Sequence, residues 1–285
     1  LPVDIIPPLA ALPPQSRMPL SRNPLFVGRR QDLRWLAQAL KGGHTVAIGQ
    51  TGTVATTGLG GMGKTQLASE FIHRYGQFFS GGVFWLSFAD PKTVPAEIAA
   101  CGGAGAMELR PNFGQLPLED QLRLVRAAWQ EPIPRLLVFD NCEEPQLLAQ
   151  WRPASGGCRI LVTSRRAEWD PLLGVQTLPL DVLQRHESVA LLREHCPDAD
   201  DETLEAIAAE VGDLPLALHL AGSYMARYRR VITPTQYLQQ LQDPALLKHP
   251  SLKGLGLSPT GHAQNVYRTI ALSYDQLDPA NPTDE

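Results

Sequence analysis

The sequence predicts an α/β fold: a parallel sheet with helices on both faces, followed by a small helical domain. Three observations carry that reading. Between Phe26 and about Pro179, short β-rich runs alternate with helical stretches, the pattern of a parallel sheet whose crossovers are helices. The runs are mostly continuous in apolar residues, as strands buried on both faces are. After Pro179 the β pattern stops and helical periodicity alone continues.

The expected strands, in order, are TVAI (Thr45–Ile48), TVATT (Thr53–Thr57), VFWLSF (Val83–Phe88), LLVFD (Leu136–Asp140), RILVTS (Arg159–Ser164) and a weaker QTLPL (Gln176–Leu180). Only GQTG (Gly49–Gly52) separates the first two, which predicts a hairpin there. Asp32–Leu40 spaces Leu33, Leu36, Ala37 and Leu40 as one helical stripe. Thr65–Tyr75 does the same with Leu67, Ala68, Phe71, Ile72 and Tyr75. Beyond the sheet, helices are expected over roughly His186–His195, Thr203–Val211 and Pro215–Arg227. Gly212 is a sensible stop for the second. Pro215 suits the first turn of the third, where its missing N–H is harmless. Asp243–His262 reads as loop with some helix, and Asn265–Leu277 regains helical periodicity.

Four segments follow: a Pro-rich interdomain linker over 1–24, the α/β domain over 25–180, the small helical domain over 181–250, and from 251 to 285 a linker into a further domain. The prolines of the first segment favour extended chain without regular hydrogen bonding. With 44% hydrophobic and 19% charged residues the chain can bury a core. A net charge of −4 argues against wholesale nucleic-acid binding. An anionic ligand therefore needs a local site. Cys101, Cys142, Cys158 and Cys196 form no CxxC pair and have no histidine at zinc spacing, so they read as reduced structural thiols in a cytoplasmic setting. No apolar run approaches the roughly 20 residues that span a bilayer, and no membrane partner is expected.

GLGGMGKT (Gly58–Thr65) matches G-x-x-x-x-G-K-[ST] in full, after a strand-like run and before a helical stripe. Its glycines let successive N–H groups turn inward on a phosphate chain, and the following helix points its positive end at the same anion. The reading assigns Gly60, Gly61, Met62, Gly63, Lys64, Thr65 and Gln66 to phosphate binding. Lys64 reaches the outer phosphates and the Thr65 hydroxyl ligates Mg²⁺. Asp140, ending LLVFD, is the candidate acid that holds Mg²⁺ through water. The next residue is Asn141, whose amide cannot take a proton from water, so slow hydrolysis is expected. Glu143 and Glu144 read as the solvated start of a helix. At the end of RILVTSRR, Ser164 or Arg165 projects from the sheet edge where ligands of open α/β sheets bind, and a cation there can sense a γ-phosphate.

In this order the motifs resemble the NB-ARC class of STAND signalling ATPases, over roughly Asn23 to Leu277. FVGR (Phe26–Arg29) is similar to the opening motif that lies against adenine and ribose, which implies adenine-side roles for Phe26, Val27 and Arg29. TSR (Thr163–Arg165) resembles the sensor strand, with Arg165 toward the γ-phosphate. GDLPLAL (Gly212–Leu218) resembles the helical-domain motif whose proline packs on adenine, here Pro215, with Leu216 beside it. ALSYDQL (Ala271–Leu277) resembles the first helix of a winged-helix domain.

The resemblance implies ADP or ATP with Mg²⁺ as ligands. ADP bridges the sheet and helical domains in an off state, and exchange for ATP allows homo-oligomeric assembly. It also implies a fused upstream effector, with a winged helix and a repeat-based sensor downstream. On that reading the sequence begins partway through a longer protein. It ends before the winged helix supplies its histidine motif. The hairpin before the phosphate loop and Asn141 depart from the family pattern. Two rival readings stay open: an active AAA-type motor, and a nucleotide-regulated DNA-binding protein hinted at by RYRR (Arg227–Arg230), whose cations also suit a helix C-terminus.

Overall fold

The structure, a computed structural model, describes residues 1–50 and 61–243. The expected strand TVATT, most of the proposed hairpin and the helix at Asn265–Leu277 lie outside the described residues. The described chain divides into two compact units, one of residues 1–24, 29–50 and 64–180, the other of residues 25–28, 61–63 and 181–243. The second unit thus takes the FVG of the opening motif and the glycine end of the phosphate loop.

The first unit is a five-stranded parallel sheet. Its strands are β1 (Thr45–Gln50), β2 (Val83–Ser87), β3 (Arg135–Asp140), β4 (Cys158–Thr163) and β5 (Val175–Leu180), in the spatial order β2-β3-β4-β1-β5. Each lies within two residues of its expected run. From β1 the chain crosses to the far edge, returns through β3 and β4 to β1's side, and adds β5 on the other flank. Pro179 sits in β5, an edge strand, where a missing donor is tolerated.

Helices α1 (Arg30–Lys41) and α2 (Lys64–Tyr75) pack against β1 and β4. Phe84, Leu86, Leu137, Phe139, Ile160 and Val162 share one cluster with residues of α3 (Val94–Ala100), α4 (Leu118–Trp129) and α5 (Pro145–Trp151). Their alternates Val83, Trp85, Leu136, Val138 and Leu161 are buried as well, on the opposite face of the pleat. Both faces are therefore covered, which explains the continuous apolar runs.

The N-terminal segment departs from the expectation of extended chain without regular hydrogen bonding. It has no helix or strand of its own, yet it is bonded to the sheet unit along its length. Arg17 makes a parallel bridge to Phe84, donating its N–H to the Val83 carbonyl at 2.8 Å and accepting from the Trp85 N–H at 2.9 Å. Its guanidinium pairs with Glu97 at 2.8 Å. The exposed edge of β2 is thereby paired, one of the ways a sheet edge is protected. Further along, Arg22 reaches Glu70 in α2 at 3.1 Å. This cover explains why α2 is buried nearly all round, Ser69 and Glu70 included.

The second unit holds α6 (Arg185–His195), α7 (Asp201–Glu210), α8 (Pro215–Arg227) and α9 (Pro234–Gln242). α7 starts two residues before the expected Thr203, because the Asp200 side chain caps it by accepting the Thr203 N–H at 2.8 Å. α9 was not expected from periodicity, though Thr233 and Gln236 form a capping box that marks its start. No helix among the described residues is long and apolar enough to cross a membrane.

Candidate functional site

β3 and β4 run side by side with Phe139 opposite Val162, so the residues that end them, Asp140 and Thr163, meet at the C-terminal edge of the sheet. Both are buried. The Thr163 hydroxyl donates to Asp140 Oδ1. The Thr65 hydroxyl, from the first turn of α2, donates to the same oxygen at 3.2 Å. Burial pushes the Asp140 carboxyl up, while the two hydroxyls, the Asn141 N–H and the charge of Lys64 act to hold it down.

Beyond Asp140 the chain continues alongside β4, its partners advancing from Thr163 to Ser164 and Arg165. Asn141 has φ +57°, in the left-handed region that asparagine tolerates better than most residues. Its N–H bonds the Thr163 hydroxyl oxygen at 3.0 Å, and the N–H of buried Cys142 bonds the Thr163 carbonyl at 3.0 Å. Glu143 then lies beside the residues that follow β4. There its carboxylate accepts from the Ser164 hydroxyl at 3.1 Å, from the Arg165 N–H at 3.0 Å and from Arg165 Nε at 3.3 Å. Ser164 is tied to the central strand, its N–H bonding the Ile48 carbonyl at 3.1 Å. Gly49 is required beside this segment, since a Cβ there would lie 2.6 Å from the Arg166 carbonyl oxygen.

Lys64, at the start of α2, has its ammonium pushed down, chiefly by burial. Among neighbouring charges, Glu143 opposes that shift, Arg165 adds to it and Asp140 opposes it. Lys64, Thr65, Asp140, Asn141 and Arg165 therefore lie near one another in the first unit. The sequence reading placed Glu143 in a solvated helix start. The structure places it in the cluster. The signal that marks it is Asn141, a residue that tolerates the left-handed backbone found just after the strand.

The donor set fits Mg²⁺. That ion takes hard oxygen ligands, usually one or two from protein, with water and phosphate oxygens completing the octahedron. Thr65 and Asp140 offer a hydroxyl and a carboxylate oxygen 3.2 Å apart.

In the second unit, Gly61 and Gly63 have φ +96° and +86°, and Met62 between them is buried. The Gly61 carbonyl accepts the N–H of Leu216 at 3.2 Å, one of the first-turn donors that α8 itself leaves unpaired. A Cβ on Gly61 would sit 2.9 Å from Leu216 Cβ. Pro215 opens α8 as expected. Phe26 and Val27 are half-buried, and Gly28 is seated against Glu187 of α6 so closely that a Cβ would overlap the carboxyl. Arg29, in the first unit, is buried at the start of α1, its guanidinium 3.4 Å from Asp32. Gln66 is exposed, and Gly60 lies outside the described residues.

No protein-family model matches this sequence. The regulatory protein AfsR of Streptomyces coelicolor is 29% identical over 264 residues, which are 90% of this chain and 25% of AfsR. The disease resistance RPP8-like protein 3 of Arabidopsis thaliana is 26% identical over 264 residues, 85% of this chain and 27% of that protein. The chain thus spans about a quarter of the length of the curated relatives it matches. A Walker-type ATPase of Pyrococcus abyssi shares the fold, with a TM-score of 0.50 and 14% identity over 80% of this chain and 75% of that one.

Proposed function

We propose that this chain, a homologue of the NB-ARC class of STAND nucleotide-binding modules, is an adenine-nucleotide-dependent signalling switch that hydrolyses slowly. It is off with ADP and competent to assemble with ATP. The observation that carries the reading is the cluster of Lys64, Thr65 and Asp140 with an amide, Asn141, where a second acid would stand. Lys64 supplies charge to the outer phosphates. Thr65 and Asp140 hold Mg²⁺, which when bound neutralises phosphate charge. Arg165, at the end of β4, reads a γ-phosphate. Asn141 can orient a water but cannot deprotonate it. Such a switch requires only that one nucleotide bind one state better than the other.

The same proposal covers the adenine-side roles of Phe26, Val27, Arg29, Pro215 and Leu216, and the phosphate roles of Gly60 to Gly63 and Gln66. It also covers the segment boundaries at 24, 180 and 250, a cytoplasmic setting, and fusion to an upstream effector with a winged helix and repeat sensor downstream. Homo-oligomerisation in the ATP state belongs to it too.

A rival reading, an active motor, draws support from the Glu143 carboxylate in the cluster, which could act on water. Against it, that carboxylate is already engaged by Ser164 and Arg165. Denaturing the purified protein and identifying released nucleotide by chromatography separates the two. Near-stoichiometric ADP is expected for the switch. An empty protein turning over ATP on the order of once per second or faster would sink it in favour of the motor.

A further inference from the structure

Glu143 contributes nothing to the nucleotide roles assigned above, yet it binds Arg165. Both of its carboxylate oxygens are in use, with Ser164 and Arg165 as donors. The Arg165 contact is double, from the backbone N–H at 3.0 Å and from Nε at 3.3 Å, so the carboxylate fixes the direction in which the guanidinium leaves the chain. The pair is partly open to solvent, with the Arg165 side chain 60% and the Glu143 side chain 30% exposed. An open pair of this kind is weak and exchangeable. A buried one would not be.

We infer that Glu143 is a specificity-determining residue that holds Arg165 in place of a γ-phosphate and so sets the preference between nucleoside di- and triphosphate. The inference rests on the reading that Arg165 meets the γ-phosphate. A phosphate and a carboxylate each offer the planar guanidinium a pair of anionic oxygens that accept its N–H groups. They are also like charges, so a triphosphate must take Arg165 from Glu143 and then lie beside the displaced carboxylate. A diphosphate does neither. Two bonds to Thr163, from the N–H groups of Asn141 and Cys142, hold the backbone before Glu143 against β4 and fix the arrangement. A mobile surface glutamate would present no such fixed competitor. The charge at Glu143 therefore acts against ATP selectively, which biases the resting protein toward the diphosphate state with no contact to adenine.

The test is calorimetric titration of the wild-type chain, Glu143→Gln, Arg165→Ala and the double variant with ADP and with a non-hydrolysable ATP analogue, each with Mg²⁺. Glu143→Gln is expected to tighten the triphosphate by about threefold to tenfold while ADP stays within about twofold. That gain should vanish in the Arg165→Ala background. Glu143→Asp, which keeps the charge but shortens the reach, should fall between wild type and Glu143→Gln, and it serves if Glu143→Gln fails to fold by thermal melting. An unchanged ratio, or equal weakening of both nucleotides, would overturn the inference and leave the switch reading standing. A wild-type chain that binds neither nucleotide, indistinguishable from Lys64→Ala, would overturn both.

Discussion

Two glutamates of the sheet unit each meet arginine, and their surroundings make them different devices. Glu70, on α2, is 2% exposed and is gripped by Arg74 at 2.7 Å and by Arg22 of the N-terminal segment at 3.1 Å. Glu143, over the end of β4, is half-buried and holds an Arg165 that reaches into solvent. Burial makes the first ion pair hard to break, because separating the charges strands one of them away from water. Exposure makes the second cheap to break. The first kind of pair clamps a segment onto the fold, and the second suits a group that must change partners.

The largest effect should come from the clamp. Replacing both arginines, Arg22→Ala with Arg74→Ala, leaves the Glu70 carboxylate buried without a counter-ion. A loss of about 3–5 kcal/mol is expected in chemical denaturation. A loss below about 1 kcal/mol would mean that Glu70 relaxes to solvent and that the contrast with Glu143 is false.

Next in size is Lys64→Ala. It should weaken nucleotide binding by roughly a hundredfold, the order expected when a charged hydrogen-bonding partner of a buried anion is lost. The melting temperature of the nucleotide-free protein should hold or rise, since burial disfavours the Lys64 ammonium. A falling melting temperature with unchanged affinity would move Lys64 from the site to the scaffold.

Asp140→Asn should separate function from stability in the same way. Burial raises the Asp140 carboxyl above its ordinary value, so the favourable contribution of its protonated form is complete below the unfolded pKa of 3.8. That contribution is lost as pH rises through the folded value. At neutral pH the ionised group therefore weighs against the fold. The amide should raise the melting temperature while Mg²⁺-dependent triphosphate affinity drops. The gain should shrink as pH falls toward 3.8. A lower melting temperature at pH 7 would show that the Thr65 and Thr163 hydroxyls depend on the carboxylate more than burial penalises it.

The smallest effect on stability belongs to Glu143→Gln. A partly exposed pair is worth about 0–1 kcal/mol, so its melting temperature should move by no more than about 3 °C, although nucleotide preference shifts. A loss as large as that of the Arg22 and Arg74 double variant would make Glu143 a second clamp.

Much of the site was legible before the structure because its chemistry is local. Lys64 and Thr65 belong to a motif that must precede a helix, and Asp140 ends a run too apolar to be anything but a buried strand. The spacing of Leu67, Ala68, Phe71, Ile72 and Tyr75 likewise reads as one buried stripe, and all five are buried. What was misread depends on distant partners. Glu143 looks solvated in sequence, and only the pairing of β3 with β4 brings Ser164 and Arg165 under it, 21 and 22 residues away. The N-terminal segment reads as a tether because its prolines break regular structure. Its bonds go instead to Val83, Trp85 and Glu70, far along the chain.

Helix stripes and strand runs are legible in the sequence, since they are set by spacings of a few residues. Tertiary structure alone decided the strand order β2-β3-β4-β1-β5, the docking of the first 24 residues and the partner of Arg165. Apolar runs of nearly equal composition do not specify which of them adjoin. A charged side chain becomes clamp or switch according to the depth at which the assembled sheet leaves it.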